Sequence, residues 1–328
     1  MGIIKERAKL NRAIRNAKTI FLMAHKNLDL DALGSQIGMY MLLKKKKKTI
    51  YIIIDDINHE MGVEKVLREL EGCINIIKSD NIKKYLNPKK SKNLLIVLDT
   101  NKTELVQSKE VLDIVENKIV IDHHEIGKTS IKNAIMINDN NISSTCEMIA
   151  NLIEFYDVEI ESYYATILLS GIVLDTNNFT LNTTAETYYT AYFLASLGAS
   201  AKKVQYLLKQ DLEEYSERQK LLASIETING KVAFTKATAN MHYRREDLAK
   251  VADTLLFFNN IEASFVIGKL NKNTIGISAR SLGNYDICKI LEKLGGGGDA
   301  TSGAAIFQDT TISKIEQELK KLLKEEGE

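Results

Sequence analysis

Short apolar runs alternate with helical patterns along the first half of this sequence, and this alternation limits the folds it can adopt. Apolar and β-branched residues make up the expected strands, at residues 19–23, 49–54, 94–98 and 118–121. Segments with apolar residues at helical spacing separate them, at residues 31–44, 63–70 and 104–115. Strands that alternate with helices are typical of a parallel sheet with helices on both faces. The sequence therefore predicts an α/β fold whose ligands lie at the carboxyl ends of the strands.

A second, smaller α/β region is expected after a charged helical stretch at residues 187–225. Its predicted strands and helices lie at 232–239, 248–256, 261–269, 273–279 and 287–294, followed by a glycine break at 295–298 and an amphipathic closing helix at 312–326. We therefore predict three parts, with a cleft between the two domains. These are an N-terminal α/β domain over residues 1–195, a helical connector over 196–228 and a smaller C-terminal domain over 229–328.

The composition is that of an ordinary soluble globular protein. The chain has 328 residues, of which 45% are hydrophobic and 27% are charged, which is enough for two domains. Its formal net charge of +1 gives no overall attraction to nucleic acids or membranes, so no duplex nucleic acid partner is expected. The lysine run at residues 44–48 is best explained as the solvated end of a helix.

The cysteines and the apolar runs predict a cytoplasmic location. Cys73, Cys146 and Cys288 are scattered and lack C-x-x-C spacing, as is typical of reduced thiols in the cytosol. No apolar run reaches the roughly 18 residues that a membrane span needs, so no membrane segment is expected. The chain is interpreted as a cytoplasmic protein or as the cytosolic portion of a membrane-anchored one.

Histidines and aspartates cluster at the ends of these apolar segments. The motifs are His25-x-x-x-Asp29-x-Asp31, Asp99, Asp122-His123-His124, and Asp175 at the end of the apolar residues 167–174. Imidazole and carboxylate ligands together suit divalent cations such as Mn²⁺, Mg²⁺, Fe²⁺ or Zn²⁺. A single aspartate of this kind is more often a helix N-cap, and Asp31 is a candidate for that role. Four such motifs together favour a metal site in one crevice.

Two divalent cations about 3.5–4 Å apart can clamp a phosphoryl group and hold a hydroxide between them. Four carboxylates and two imidazoles would supply the ligands and roughly neutralise the cations: His25, Asp29, Asp31, Asp99, His123 and Asp175. One cation would take His25 and Asp29, the other Asp31, His123 and Asp175, with Asp99 as the bridge. Asp122 is predicted to orient an imidazole, and His124 to act as a phosphate donor or general acid.

Further donors to a phosphodiester are expected outside these motifs. Arg280 offers a bidentate fork for phosphate, or else forms a surface ion pair. Ser143, Ser144 and Thr145 offer hydroxyls and backbone N–H groups, or else only cap a helix. The glycines at 295–298 can bring backbone N–H groups close to an anion, or else only form a turn.

These motifs together resemble the DHH phosphoesterase superfamily with its DHH-associated C-terminal domain. The matching segments are Met23-Ala24-His25 through Asp31, Val97-Leu98-Asp99-Thr100, Val120-Ile121-Asp122-His123-His124, Ser143-Ser144-Thr145 and Gly171-Ile172-Val173-Leu174-Asp175-Thr176. The segments at 263–268 and 277–283 look most like the bacterial cyclic-di-AMP phosphodiesterases.

The resemblance implies hydrolysis of cyclic-di-AMP to linear pApA by two Mn²⁺ ions, with Mg²⁺, Fe²⁺ or Co²⁺ as alternatives. It implies a homodimer, and a cyclic dinucleotide or short adenine oligonucleotide as substrate. The catalytic residues would be Asp122, His124 and Arg280. The substrate-binding residues would be Ser143, Ser144, Thr145, Arg280, Ser281, Gly296, Gly297, Gly298 and Asp299.

Two positions depart from the superfamily pattern. Asp299 stands where a histidine usually follows the glycines, and Asn101 stands where a histidine is expected after Asp99-Thr100. A carboxylate at 299 repels phosphate unless it is protonated or turned away, whereas Asn101 can still donate a hydrogen bond. The alternatives are therefore a related phosphoesterase acting on short oligonucleotides or 3′,5′-bisphosphorylated adenosine, or a catalytically weakened cyclic-dinucleotide sensor. An inorganic pyrophosphatase shares the metal pattern, but its usual Lys and Arg motifs are missing.

Overall fold

The computed structural model describes Ile3 and residues 6–55, 59–238 and 241–325. The chain divides into two compact units, Met1–Lys209 and Gln210–Glu328. The predicted ends at residues 239 and 326 lie outside the described residues. Among the described helices, none is both long enough and apolar enough to cross a membrane.

A parallel sheet is the frame of the first unit. In the described residues it has six strands: β1 Thr19–Met23, β2 Thr49–Ile53, β3 Ile76–Ile77, β4 Asn93–Leu98, β5 Lys118–Asp122 and β6 Ile135–Asn138. Their order is β3-β2-β1-β4-β5-β6, and each neighbouring pair is parallel. The predicted parallel α/β fold is confirmed.

Helices cover the sheet of the first unit on both faces. Its helices are α1 Arg7–Asn16, α2 Leu30–Lys44, α3 Met61–Glu69, α4 Lys109–Ile114, α5 Thr145–Phe155, α6 Ser162–Asp175, α7 Ala185–Ser196 and α8 Ala201–Leu207, with 3₁₀ turns at Ser79–Lys84 and Lys90–Lys92. Along β1, Ile20 and Leu22 join one apolar cluster, and Phe21 and Met23 join another. This alternation is that of a strand buried on both faces.

The helix predicted over residues 104–115 is shorter than expected. It covers only Lys109–Ile114 and begins after Ser108, whose side chain accepts a hydrogen bond from the backbone of Val111. The preceding segment is held beside the end of β1, where the N–H of Lys26 donates to the carbonyl of Leu105 at 2.7 Å. Helical spacing of apolar residues could not reveal this tertiary pairing.

The second unit contains a mixed sheet with its own core. Its strands are β7 Glu226–Ile228, β8 Val232–Lys236, β9 Ala263–Lys269, β10 Thr274–Ser281, β11 Gly297–Gly298 and β12 Ser302–Gln308, in the order β11-β12-β10-β9-β8-β7. Its helices are α9 Leu212–Leu222, α10 Arg245–Leu255, α11 Ile287–Glu292 and α12 Ile312–Glu325. The closing helix α12 buries Ile315, Leu319 and Leu323, as its amphipathic pattern predicts.

Candidate metal centre

Three adjacent strands carry candidate ligands to one edge of the sheet. His25 follows β1, Asp99 follows β4, and β5 ends at Asp122, directly before His123. Because β1, β4 and β5 are neighbours and all parallel, their carboxyl ends meet. The remaining candidates come from helix ends at the same edge: Asp29 and Asp31 at the start of α2, and Asp175 at the end of α6.

The candidate ligands form two groups that meet at Asp99. His25, Asp29 and Asp99 offer atoms that all lie within 4.8 Å of one another, and so do Asp31, His123 and Asp175. A third set at this spacing, Asp99, His123 and His124, joins the two groups. One oxygen of Asp99, Oδ2, lies 3.3 Å from His25 Nε2, and its other oxygen, Oδ1, lies 3.6 Å from His123 Nε2. This is the geometry expected of a carboxylate shared between two cation sites.

A buried ring nitrogen supports the fit of a cation to this site. His123 Nε2 is buried and makes no hydrogen bond, although it lies 3.2 Å from Oδ2 of Asp175. A buried polar atom without a partner is costly and needs an explanation. A divalent cation among His123, Asp175 and Asp31 would satisfy this nitrogen. The donor set of imidazole and carboxylate is one that such cations favour.

The electrostatics of the cluster point the same way. Burial raises the pKa of Asp31 well above its usual range, and the charges of Asp99 and Asp175 raise it further. Burial also raises the pKa of Asp175 to about 6. Burial opposes protonation of His25 and His123, yet their carboxylate neighbours raise the pKa of both imidazoles well above the usual value. Crowded buried carboxylates of this kind favour the uptake of positive charge.

Asp29, not Asp31, is the N-cap of α2. The N–H of Ala32 donates to Oδ1 of Asp29 at 2.9 Å, so the capping role considered for Asp31 is wrong. Asp31 is fully buried, and its two oxygens accept hydrogen bonds of 2.8 Å from the backbone N–H groups of Thr145 and Cys146. These groups begin α5, whose positive end stabilises a carboxylate. Asp31 is therefore held rigidly at the centre of the site.

Asp99 adopts a backbone conformation that is rare outside glycine. Its φ angle is 60°, and its N–H donates to the carbonyl of Ile121 at 3.0 Å. Aspartate and asparagine tolerate this region better than most residues, and such strained conformations cluster at functional sites. Thr145 Oγ1 donates to Asp99 Oδ1 at 3.0 Å.

A short hydrogen-bonded chain orients His124. Nδ1 of His124 lies 2.7 Å from Oδ1 of the fully buried Asp122. Asn101, also fully buried, donates from Nδ2 to Oδ2 of Asp122 at 2.7 Å. Asn101 is thus a hydrogen-bond donor, as predicted, and its acceptor is Asp122. Asp122 in turn fixes the imidazole of His124. The side chain of His124 remains half-exposed, with 53% of its surface accessible.

The hydroxyls at 143–145 are engaged within the protein. Ser143 donates from its backbone N–H and its hydroxyl to Oε2 of Glu147, and Ser144 caps α5 by accepting from the N–H of Glu147 at 3.1 Å. All three hydroxyl residues are buried, so these contacts match the capping alternative. Their role as substrate donors stays a prediction. Glu147 was not singled out from the sequence, although Ser144-x-x-Glu147 has the spacing of a capping box.

The chain turns back on itself directly after Asp175. Asn177, Asn178 and Phe179 have φ angles of 45°, 59° and 62°, which places three consecutive side-chain-bearing residues in the left-handed region. The left-handed region costs roughly 1–2 kcal/mol per residue, so the surrounding structure must enforce it. The N–H of Phe179 donates to Thr176 Oγ1 at 3.0 Å, which closes the turn.

Two family models match this chain. The model of the DHH family, N-terminal domain, matches residues 19–172, and that of the DHHA1 domain matches residues 229–325. The chain therefore contains a DHH domain followed by a DHHA1 domain. The resemblance drawn from the motifs is confirmed, and the first model contains five of the six candidate metal ligands, with Asp175 three residues beyond its end.

The relatives of this chain have names that give different substrates. It is 35% identical to the cyclic-di-AMP phosphodiesterase PdeA of Listeria monocytogenes, over 94% of this chain and 48% of that protein. It is 27% identical to the bifunctional oligoribonuclease and PAP phosphatase NrnA of Thermus thermophilus, over 94% and 90%. An exopolyphosphatase-related protein from Bacteroides fragilis has the same fold, with a TM-score of 0.78 and 22% identity over 99% and 98%. The chain spans about half the length of the curated cyclic-di-AMP phosphodiesterases it matches.

The DHHA1 domain holds the remaining candidate residues. Arg280 donates from Nε to Oδ1 of Asp253 at 2.7 Å, an ion pair that the sequence left open as an alternative. Ser281 Oγ accepts hydrogen bonds from the N–H groups of Gly283 and Tyr285. Both residues lie at the end of β10. Their contact with a substrate stays a prediction.

The glycine run is needed for strand packing. Gly297 and Gly298 form the short strand β11, which pairs with β12, where the sequence predicted only a backbone break. A Cβ atom at Gly296 would lie 2.6 Å from the carbonyl oxygen of Ala304 on β12. This close approach accounts for a glycine at 296 without an anion. The anion-binding role predicted for Gly296, Gly297 and Gly298 remains untested by this packing.

Asp299 turns its carboxylate into its own loop. Oδ1 accepts from the N–H groups of Thr301 and Ser302 at 2.8 and 2.7 Å, and Oδ2 accepts from Ser302 Oγ at 2.8 Å. Burial acts to raise the pKa of Asp299, but these hydrogen bonds hold this pKa below its usual value. The departure from histidine therefore has a local structural explanation, because an imidazole cannot accept this set of hydrogen bonds.

Replacing Asp299 with alanine is expected to lower the free energy of unfolding by about 1 kcal/mol at pH 7. Since the folded-state pKa is depressed, this stabilisation is present at neutral pH and is lost as the pH falls through that pKa, below about pH 4. Urea unfolding of Asp299→Ala and the wild type, between pH 7 and pH 3, measures the difference. The exposed Glu318 on α12 provides a control, Glu318→Ala. Equal destabilisation at both pH values would contradict the expectation.

Proposed function

We propose that this chain is a metal-dependent phosphodiesterase that hydrolyses cyclic-di-AMP to linear pApA. The observation that carries the reaction class is the pair of ligand groups sharing Asp99. The substrate is proposed from similarity to PdeA, whose name gives that activity. We propose in addition that the protein is cytoplasmic and acts as a homodimer.

The ligand groups suggest where two cations would be held. His25 and Asp29 would hold one, Asp31, His123 and Asp175 the other, and Asp99 would contact both. We propose Mn²⁺ for both sites, with Mg²⁺, Fe²⁺ or Co²⁺ as alternatives, since the ligand types suit each of them. Such cations would supply positive charge against the phosphoryl oxygens and lower the pKa of water.

The protein's own side chains would orient the phosphodiester and move the proton. Asp122 holds Nδ1 of His124. The other ring nitrogen of His124, Nε2, is therefore the atom that would donate to a phosphate oxygen or to the leaving ribose oxygen. Arg280 would add charge, with Asp253 fixing the plane of its guanidinium group. Ser281, Asp299 and the glycine run would line the substrate site in the DHHA1 domain.

A second candidate function is cleavage of short oligonucleotides or 3′,5′-bisphosphorylated adenosine. The similarity to NrnA supports it, because that likeness extends over 90% of the relative's length. The two ligand groups suit either reaction, since each cleaves a phosphate ester. Substrate choice must therefore come from residues outside the metal centre.

Initial rates with cyclic-di-AMP, pApA and pAp in the presence of Mn²⁺ separate the two candidates. We expect cyclic-di-AMP to be cleaved to pApA with the highest kcat/KM of the three, and all cleavage to stop on addition of a chelator. Product identity is read by anion-exchange chromatography. A preference for pAp, with the cyclic dinucleotide left intact, would rule out the first candidate and support the second.

A further inference from the structure

An exposed aromatic ring lies beside the turn that follows Asp175. Tyr188 on α7 is 58% exposed, and its ring stacks on that of Phe179, with centroids 5.7 Å apart and planes inclined at 21°. Phe179 is half-buried and packs against the main apolar cluster of the DHH domain. One face of Tyr188 therefore lies towards a fixed ring, while much of the side chain remains open to solvent.

The left-handed turn fixes Phe179 close to the metal centre. Phe179 is the fourth residue after Asp175, so their Cα atoms lie at most about 14 Å apart even in an extended chain. The turn shortens this span, because the N–H groups of Thr180 and Leu181 both donate to the carbonyl of Thr176, at 2.8 and 2.9 Å. The left-handed backbone of Asn177 and Asn178 thus brings Phe179 back towards Thr176, the residue after Asp175.

Tyr188 is tied to the same site by a second route. Its neighbour Thr187 donates from Oγ1 to Oε2 of the buried Glu147 at 3.0 Å. Glu147 lies in the first turn of α5, two residues after Thr145, which donates to Asp99. The start of α7 is therefore anchored to the helix end that holds Asp31 and contacts Asp99. These contacts tie the backbone at Tyr188 to the helix end that contacts Asp31 and Asp99.

We propose that Tyr188, backed by Phe179, is a stacking platform for a nucleobase of the substrate. The inference rests on the proposed function, since it requires a nucleotide whose phosphate is held at the ligand groups. Aromatic rings stack on any base, and this contact contributes binding energy without reading base identity closely. Tyr188 would thus select nucleotides over other phosphate esters, while the metal centre carries out the reaction.

Kinetics with matched variants test this role. Tyr188→Ala is compared with Tyr188→Phe, which keeps the ring, and with Tyr192→Ala, which removes an exposed tyrosine one turn further along α7. We expect Tyr188→Ala to raise KM for the nucleotide cleaved by the wild type about tenfold, with kcat changed less. Tyr188→Phe and Tyr192→Ala should behave as the wild type. An abasic analogue of the same phosphodiester should be cleaved equally by all four proteins.

A binding measurement keeps the inference separate from the proposed function. The probe is 2-aminopurine riboside 5′-monophosphate, whose fluorescence falls on stacking, titrated with each protein in the presence of Mn²⁺. We expect about a tenfold higher Kd and less quenching with Tyr188→Ala alone. If the wild type cleaves no cyclic-di-AMP but the probe shows this pattern, the proposed substrate is wrong and the platform stands. Unchanged quenching, or equal losses on the nucleotide and the abasic analogue, would overturn the platform.

Discussion

Replacing Asp99 with asparagine is expected to lower kcat on the cleaved nucleotide by roughly 10³-fold. The amide removes one negative charge and offers only one oxygen, whereas both oxygens of Asp99 face ligand groups. Asparagine is the suitable substitution because it tolerates the left-handed backbone at φ 60°. Steady-state kinetics with Mn²⁺ measure the loss, and calorimetric titration with Mn²⁺ should show weaker binding of the cation.

Asp157→Asn is the matched control for this experiment. Asp157 lies in the same domain, has a φ angle of 49° and is exposed. The same chemical change there should leave both turnover and Mn²⁺ affinity at the wild-type level. Wild-type turnover in Asp99→Asn would refute the assignment of Asp99 as the shared ligand. Loss of turnover with unchanged Mn²⁺ binding would indicate that Asp99 contacts the substrate and does not bind the cation.

Adding one methyl group at Gly171 is expected to destabilise the DHH domain by about 1–3 kcal/mol. A Cβ atom there would lie 2.5 Å from Cys146 Sγ and 2.9 Å from both Cα and Oδ1 of Asp31. Gly171 lies within α6, so the helix and the start of α2 must move apart to accommodate the methyl group. Since Asp31 is displaced with them, affinity for Mn²⁺ should fall about 10- to 100-fold.

Gly127→Ala separates this steric effect from the loss of glycine flexibility. A Cβ atom at Gly127 meets nothing within 4 Å, and its φ angle lies outside the left-handed region. We expect its free energy of unfolding to stay within about 0.5 kcal/mol of the wild type. Urea unfolding of both variants, with and without Mn²⁺, measures the difference. Equal stability of Gly171→Ala and Gly127→Ala would contradict the packing described at Asp31.

The sheet and the convergence of its acidic motifs could be predicted from the sequence. Runs such as residues 94–98 are short and apolar throughout, as expected of a strand that is buried on both faces. Once the strands are parallel, residues that follow them must meet at one edge. The convergence of His25, Asp99 and His123 follows from this rule and is observed, whereas Asp29 and Asp175 reach the same edge from helix ends.

The contacts within each motif could not be predicted, because tertiary partners decide them. Asp29 and Asp31 both stand near the start of the predicted helix, where N-cap residues are found, yet only Asp29 caps α2. The hydroxyl of Thr145 looked available to a substrate, but it donates to Asp99, which is 46 residues away in the sequence. Glu147 and Asn101 matter through buried partners that no local pattern reveals.

Both ligand groups come entirely from one domain, and this separates two kinds of evolutionary change. Among the residues that the structure describes, every candidate metal ligand belongs to the segment from His25 to Asp175, within the first unit. Substitutions in the DHHA1 domain therefore replace none of these candidate ligands. Asp299, with its own local hydrogen bonds, is one such substitution. On the proposed function, such substitutions would change the preferred substrate while the candidate metal ligands stay the same.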